Sequence, residues 1–181
     1  DGGGVVHQPT LDEVERGDRR GACNRVAAER RAVLAGGPPH DLVAGDDGRF
    51  YTIGADKLPG GRGFGEPVRL LIDMSEGTGI TAFLPASGAQ RLLLAASDGK
   101  GFVAKVEDVI AETRKGRQVV NIRAGAKLTI IRVIDPSHDY AAVVGDNRKL
   151  VVFPLEELPE MGRGQGVTLQ KYKDGGLADA I

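Results

Sequence analysis

The sequence predicts an all-β fold made of short antiparallel strands joined by tight turns. Its 181 residues include 27 glycines and no tryptophan. Apolar residues fall in runs of about three to seven, a length typical of strands, and Gly and Asp separate the runs. With 41% hydrophobic and 27% charged residues, the composition is that of a globular protein, and the chain is long enough to bury a core.

The apolar runs give the predicted strands in chain order. Pro59, Pro67 and Pro154 lie between these runs or at their edges, where proline is tolerated. The predicted strands are Leu42–Ala44, Phe50–Ile53, Val68–Ile72, Leu92–Ala95, Phe102–Ala104, Val119–Ile122, Leu128–Ile134, Ala141–Val144, Leu150–Phe153 and Val167–Leu169.

The first 45 residues have a different character. They carry interleaved acids and arginines with few large apolar groups, and a Gly-Gly-Pro-Pro sequence at 36–39 stops any helix. We therefore expect residues 1–45 to be an irregular or partly helical lead-in. An Arg-rich arm that touches nucleic acid is the alternative, which the interleaved acids disfavour.

A motif recurs three times after this lead-in. Each copy has a turn aspartate, a glycine eighteen residues after it, and a valine three residues after the glycine. Basic residues lie shortly before each glycine. The aspartates are Asp47, Asp98 and Asp146, the glycines are Gly65, Gly116 and Gly164, and the valines are Val68, Val119 and Val167. The intervals between successive aspartates are 98 − 47 = 51 and 146 − 98 = 48.

Each copy predicts a hairpin, a basic glycine loop and a further strand that begins at the valine. One such sheet cannot bury both of its faces, but stacked neighbours can. A period near fifty residues with about four strands matches a propeller blade, so we predict a partial β-propeller of about three blades. An ordinary antiparallel sandwich with similar turns is the alternative.

The charge balance and the cysteine content exclude some classes of protein and site. The chain has 24 Lys and Arg against 25 Asp and Glu, which excludes a histone-like polycation but leaves room for a local basic stripe. One cysteine, Cys23, and three histidines make an intrachain disulfide impossible and a zinc site improbable. No apolar run reaches the ~18 residues of a membrane helix. We expect a soluble, cytoplasmic piece of a longer chain.

The glycine loops hold the candidate binding residues. The loop at 60–65 is not followed by the helix that a nucleotide-binding loop needs, and no constellation of catalytic side chains is visible, so no catalytic residue or metal site is predicted. Because the basic motifs recur at one place in each unit, they should line one rim and contact DNA phosphates. The DNA-binding candidates are Arg62, Arg114, Lys115, Arg117 and Arg163, followed by Arg123, Lys127 and Arg132. Gly65, Gly116 and Gly164 would permit the loop backbone to come close to the phosphate backbone of DNA.

Four stretches carry a family resemblance. The sequence reads FYTIGADKLPGGRGFGEPVR at 50–69, TRKGRQV at 113–119, GDNRKLVVFPL at 145–155 and LPEMGRGQGVTLQKY at 158–172. Together they resemble the C-terminal domain of the A subunit of bacterial DNA topoisomerase IV, in its alphaproteobacterial form. The resemblance covers about residues 46–178 and implies that 46–181 is an incomplete, pinwheel-like propeller domain with about three of the family's five or six units; residues 1–45 do not match.

The resemblance implies part of an ATP-hydrolysing type II topoisomerase. In that family two A and two B subunits pass one duplex through another with ATP and magnesium, and the catalytic tyrosine directly follows an arginine. None of Tyr51, Tyr140 and Tyr172 does so, which implies a non-catalytic segment that needs no cofactor of its own.

The implied partners are duplex DNA, a B subunit, and the second of the two A subunits, in the bacterial nucleoid and without membrane insertion. The gyrase Gln-Arg-Arg-Gly-Gly-Lys-Gly box is missing, which favours relaxation and decatenation over wrapping. A protein-interaction propeller that docks an acidic partner is the alternative function.

Overall fold

The computed structural model describes residues 40–59, 64–86, 90–172 and 175–181. These residues form three antiparallel sheets with little helix, which confirms the predicted all-β, propeller-like fold class. The strands are β1 His40–Gly45, β2 Arg49–Gly54, β3 Ile80–Ala86, β4 Arg91–Ala96, β5 Lys100–Lys105, β6 Arg117–Gln118, β7 Leu128–Ile134, β8 Tyr140–Gly145, β9 Leu150–Pro154, β10 Val167–Thr168 and β11 Leu177–Ala180. The helix α1 spans Val106–Val109, and 3-10 turns lie at Ala55–Lys57, Val68–Leu70 and Leu155–Glu157.

Each sheet contains one hairpin, and the three hairpins are β1–β2, β4–β5 and β8–β9. At each turn a side-chain oxygen accepts a hydrogen bond from the backbone N–H two residues later. The pairs are Asp47 Oδ1 with Arg49 at 3.0 Å, Asp98 Oδ1 with Lys100 at 3.3 Å, and Asn147 Oδ1 with Lys149 at 3.1 Å. The third turn is therefore centred on Asn147, which corrects the predicted alignment on Asp146.

A second interaction attaches the outer strand of each sheet. Asp46 donates its backbone N–H to Gly79 O at 2.9 Å, and its Oδ1 accepts from the Gly79 N–H at 3.0 Å. Asp146 makes the same reciprocal pair with Gly176, and Ser97 makes it with Lys127. Asp146 thus corresponds to Asp46, and its role is to hold β11 rather than to form the turn.

The sheets interlock, because a strand of one repeat unit completes the sheet of the previous unit. The first sheet has the order β3-β1-β2-β6, and the second has the order β10-β5-β4-β7. β6 follows the second hairpin in sequence but pairs with β2, and β10 follows the third hairpin but pairs with β5. The third sheet has the order β11-β8-β9.

Two predicted strands are corrected by the structure. Val68–Leu70 is a 3-10 turn, and the short strand β6 ends at Gln118, so Val119–Ile122 is not a strand. At the other end, β1 begins at His40, inside the segment predicted to be an irregular lead-in. Residues 1–39 of that segment, with Cys23, lie outside the described residues.

The core lies between successive sheets. Leu92 and Leu94 pack with Phe50 of the first sheet, whereas Leu93, on the other face of β4, packs with Val143 of the third sheet. Both faces of the central strand are therefore buried, as expected for a stacked sheet and not for one with a solvated face. Each fully buried Leu or Phe contributes about 1.5–3 kcal/mol, which strongly favours the stacked arrangement.

Candidate nucleic-acid interface

The second glycine loop, residues 113–118, is fixed on the first hairpin, and we call it the basic loop. Its last two residues form β6, where Arg117 lies opposite Phe50 and Gln118 lies opposite Arg49. The Gln118 side-chain amide donates to Asp47 O at 2.9 Å, and Arg49 Nη1 donates to Lys115 O at 3.1 Å. These bonds hold the loop backbone while leaving the Lys115 and Arg117 side chains exposed.

Gly116 makes this close approach possible. Its φ is +69°, and a Cβ atom there would lie 2.6 Å from Phe50 O and 2.7 Å from Tyr51 Cδ1. Both the backbone conformation and the space therefore require glycine. The backbone that Gly116 approaches belongs to the neighbouring hairpin of the protein.

The third loop repeats this arrangement with a different glycine. Val167 of β10 lies opposite Gly101, as Arg117 lies opposite Phe50, so Gly166 occupies the place of Gly116. Gly166 has φ +74°, and a Cβ there would press on Gly101 O. The predicted alignment of Gly164 with Gly116 is therefore off by two residues. Gly164 instead forms a bridge to Val120.

Backbone hydrogen bonds join the basic loop and the residues that follow it to neighbouring segments on both sides. On one side, the Asp73 N–H, which follows the 3-10 turn at Val68–Leu70, donates to Arg114 O at 2.8 Å. Further along, the Gly164 N–H donates to Val119 O at 2.9 Å, and the Asn121 N–H donates to Gly164 O at 2.8 Å. We call this arrangement the loop row. It brings Arg114, Lys115, Arg117 and Arg163, all exposed, onto adjacent loops.

Arg114 differs from its neighbours because its side chain has partners within the protein. Its Nη2 donates to Leu70 O at 2.7 Å and lies 3.7 Å from Asp73 Oδ1. The guanidinium thus helps to join the basic loop to the segment at 70–73. Within the described residues, the side chains of Lys115 and Arg117 make no hydrogen bond or ion pair.

The other predicted DNA-binding residues differ in whether their side chains have partners within the protein. Lys127 Nζ lies 2.8 Å from Asp46 Oδ2, and this hydrogen bond holds the pKa of the Asp46 carboxyl below its ordinary value. Arg132 on β7 pairs with Asp179 of β11 at 2.9 Å. Arg123 is exposed at a turn in which its carbonyl accepts from the Ala126 N–H at 3.0 Å. Arg62 lies outside the described residues.

Sequence reasoning missed one cation of the loop row. Arg69 is exposed, next to the Leu70 carbonyl that accepts from Arg114. It was overlooked because the predicted strand Val68–Ile72 gave it no loop position. The available signal was Pro67, which disfavours a strand interior.

Among the described residues, no group of three or more His, Cys, Asp or Glu side chains could hold a metal ion. In the same part of the chain, no helix has the length and apolar character needed to cross a bilayer.

A family described as "DNA gyrase C-terminal domain, beta-propeller" matches residues 90–135 and 139–178. The A subunit of DNA topoisomerase 4 from Caulobacter vibrioides is 40% identical over 179 residues, covering 98% of this chain and 22% of that protein. The same subunit of Rickettsia felis is 43% identical over 138 residues, covering 76% of this chain and 18% of that protein. The chain thus spans about a fifth of the length of these relatives. The Caulobacter match also extends into residues 1–45, outside the range of the motifs quoted above.

Solved structures share the fold. The E. coli ParC C-terminal domain superposes with a TM-score of 0.73 at 26% identity, covering 78% of this chain and 60% of that one. A C-terminal domain of DNA topoisomerase IV gives a TM-score of 0.71 at 15% identity, covering 79% of this chain and 46% of that one, and this second likeness concerns the fold alone.

Proposed function

Because this chain belongs to the family of DNA gyrase C-terminal β-propeller domains, we propose that it binds duplex DNA along the loop row. In this proposal it is part of the A subunit of a bacterial topoisomerase IV. It positions and bends a duplex for the whole enzyme, which contains two A and two B subunits and uses ATP and magnesium. That enzyme relaxes and decatenates chromosomal DNA in the nucleoid.

The observation that supports the proposal is the hydrogen bonding between neighbouring segments of the loop row. Arg114 bonds to Leu70 and Asp73 on one side, and Gly164 bonds to Val119 and Asn121 on the other. A duplex presents phosphates at regular short spacing, so a row of cations on adjacent loops can contact several of them without reading bases. Arg163 extends the row beyond the basic loop.

The exposed cations have different roles in this proposal. Lys115 and Arg117 supply charge, because their side chains are exposed on a fixed backbone. Arg114 supplies charge and also orders the loop through Leu70 O. Lys127 contributes less, because Asp46 already partly neutralises its charge. Gly116 and Gly166 allow their loops to pack directly on the hairpin backbone, because a side chain at either position would clash with it.

Salt-dependent binding tests the proposal. The double variant Lys115→Ala/Arg117→Ala should weaken binding to duplex DNA and reduce the slope of log K against log salt by about 0.9 for each lost phosphate contact. The matched control is Lys57→Ala/Arg91→Ala, which removes two exposed cations located away from the hairpin turns. The control should bind DNA as the parent chain does.

Two results would contradict the proposal. Equal losses in the two double variants would mean that net charge matters and the loop row does not. Binding to an acidic protein surface with no affinity for duplex DNA would favour the protein-docking alternative. Circular dichroism of both variants checks that the fold is retained.

A further inference from the structure

A cation recurs at the hairpin turns, separately from the cations of the glycine loops. It is the residue two positions after the turn Asp or Asn in each unit, namely Arg49, Lys100 and Lys149. The turn does not require this charge, because the Asp or Asn oxygen accepts a hydrogen bond from the backbone N–H, which every residue except proline has. Formation of the turn therefore does not explain why the side chain is positive in all three units.

The first two of these turn cations lie beside the glycine loop of the following unit. Arg49 is opposite Gln118 of β6, and Lys100 is opposite Thr168 of β10. Paired strands lie about 4.8 Å apart, so each turn cation is one strand away from the loop row. Because β6 and β10 are both present, the positions of Arg49 and Lys100 are defined by a neighbouring strand on each side.

The side chain of Arg49 is joined to the basic loop. Its Nη1 donates to Lys115 O at 3.1 Å, and this hydrogen bond lies at the surface. A guanidinium has several N–H donors, and the bond to Lys115 O uses one of them. Among the described residues, no acid forms an ion pair with Arg49. The guanidinium is thus held in one place with further donors able to bind an anion.

Arg49, Lys115 and Arg117 together form a group of like charges. Arg117 lies opposite Phe50, the residue next to Arg49, and Lys115 is bonded to Arg49 through its carbonyl. In the part of the chain that the structure describes, none of the three cations has an acidic partner. Like charges on adjacent strands repel each other and lower stability, so a bound anion would stabilise this group.

We propose that Arg49 and Lys100 are further DNA-contacting residues, which bind phosphates beside those bound by the loop row. This inference rests on the proposed function. Arg49 is the stronger contact, because Lys115 O already orders its guanidinium and less conformational entropy is lost on binding. The Lys100 side chain makes no hydrogen bond or ion pair within the described residues, so it binds a phosphate as a flexible point charge.

Salt-dependent binding of the 181-residue chain to duplex DNA tests this inference. Arg49→Ala and Lys100→Ala should each reduce the slope of log K against log salt by about 0.9, because each removes one phosphate contact. At one salt concentration Arg49→Ala should weaken binding about two- to tenfold more than Lys100→Ala, since its side chain is ordered in advance. The matched controls are Arg91→Ala and Lys57→Ala, at exposed cations away from the hairpin turns. Both should keep the parent slope.

Two further variants separate contact with DNA from support of the basic loop. Arg49→Lys keeps the charge, so the salt slope should stay that of the parent chain while affinity falls, because lysine lacks the planar fork of arginine. The double variant Arg49→Ala/Lys115→Ala should lose about twice the slope that either single variant loses. Hydrogen exchange of the Gly116 N–H, which donates to Thr113 O at 3.0 Å, reports whether the loop stays folded in each variant.

Two results would overturn the inference. The first is a double variant that loses no more slope than Lys115→Ala alone, which would mean that Arg49 supports the basic loop and does not contact DNA. The second is a Lys100→Ala variant that binds as Lys57→Ala does, which would remove the shared role of the turn position. Failure of the proposed function gives a different result, because Lys115→Ala/Arg117→Ala would then also keep the parent slope.

Discussion

The ammonium of Lys127 lies 2.8 Å from the carboxylate of Asp46 and joins two successive repeat units. Asp46 follows β1 in the first unit, and Lys127 precedes β7 in the second. A backbone bond runs beside the ion pair, because the Leu128 N–H donates to Asp46 O at 2.9 Å. The Leu177 N–H makes the same contact with Ser97 O, also at 2.9 Å, so the backbone link repeats between units while the ion pair belongs to the first junction.

Lys127→Ala should lower stability in a pH-dependent way. The folded-state pKa of Asp46 is lowered, first by the hydrogen bond from Lys127, so the stabilisation is present above the ordinary Asp pKa and is lost as pH falls through the lowered folded value. At neutral pH we expect a loss of about 0.2–1 kcal/mol, typical of an exposed pair. Urea unfolding of both chains at neutral and acidic pH measures this. A difference that does not shrink on acidification would contradict the assignment.

Gly116→Ala should destabilise the fold more than Gly125→Ala. Both glycines have positive φ, +69° and +82°, so both substitutions carry a backbone cost of about 1–2 kcal/mol. Only at Gly116 does the new methyl group also meet Phe50 O and the Tyr51 ring; at Gly125 no atom of the described residues lies within 4 Å. The difference between the two free energies of unfolding, from denaturant titration, therefore measures the loop-to-hairpin contact. Equal losses would mean that the basic loop is not packed as described.

Arg114→Ala should reduce both stability and DNA binding, whereas Lys115→Ala should reduce DNA binding alone. The Arg114 guanidinium donates to Leu70 O, and losing such a bond costs about 0.5–1.5 kcal/mol. Each substitution should lower the salt slope of DNA binding by about 0.9. Urea unfolding and salt-dependent binding are measured on both variants. Identical unfolding midpoints would remove the ordering role of Arg114.

Arg148→Gly should stabilise the third hairpin. Arg148 has φ +61°, whereas the matching residues Gly48 and Gly99 are glycines at +81° and +79°. Removing the Cβ atom from a left-handed residue should raise the free energy of unfolding by about 1–2 kcal/mol. Part of this gain is lost because glycine increases the conformational entropy of the unfolded chain. Arg148→Ala is the control, since it removes the same charge and keeps the Cβ atom. If both variants gain the same stability, charge and not backbone conformation is responsible.

The sequence predicted the strands of all three hairpins because their signals are local. Asp47 and Asp98 bond to backbone atoms two residues away, and the flanking strands are short apolar runs. The three-unit repeat and the propeller-like class followed from these turns. The third unit was aligned incorrectly because Asp146 and Asn147 are adjacent and similar, and only the hydrogen bond from the Lys149 N–H distinguishes them.

The sequence alone determined that this chain is a repeat of antiparallel hairpins with basic glycine loops. Tertiary structure decided which hairpin each loop covers, that Gly166 and not Gly164 matches Gly116, and that Lys127 and Arg114 have partners from other units. The physical reason is distance along the chain. A turn is fixed by neighbours two residues away. In contrast, β6 meets β2 across the whole second hairpin, with Arg117 opposite Phe50, and such a contact depends on how entire sheets stack.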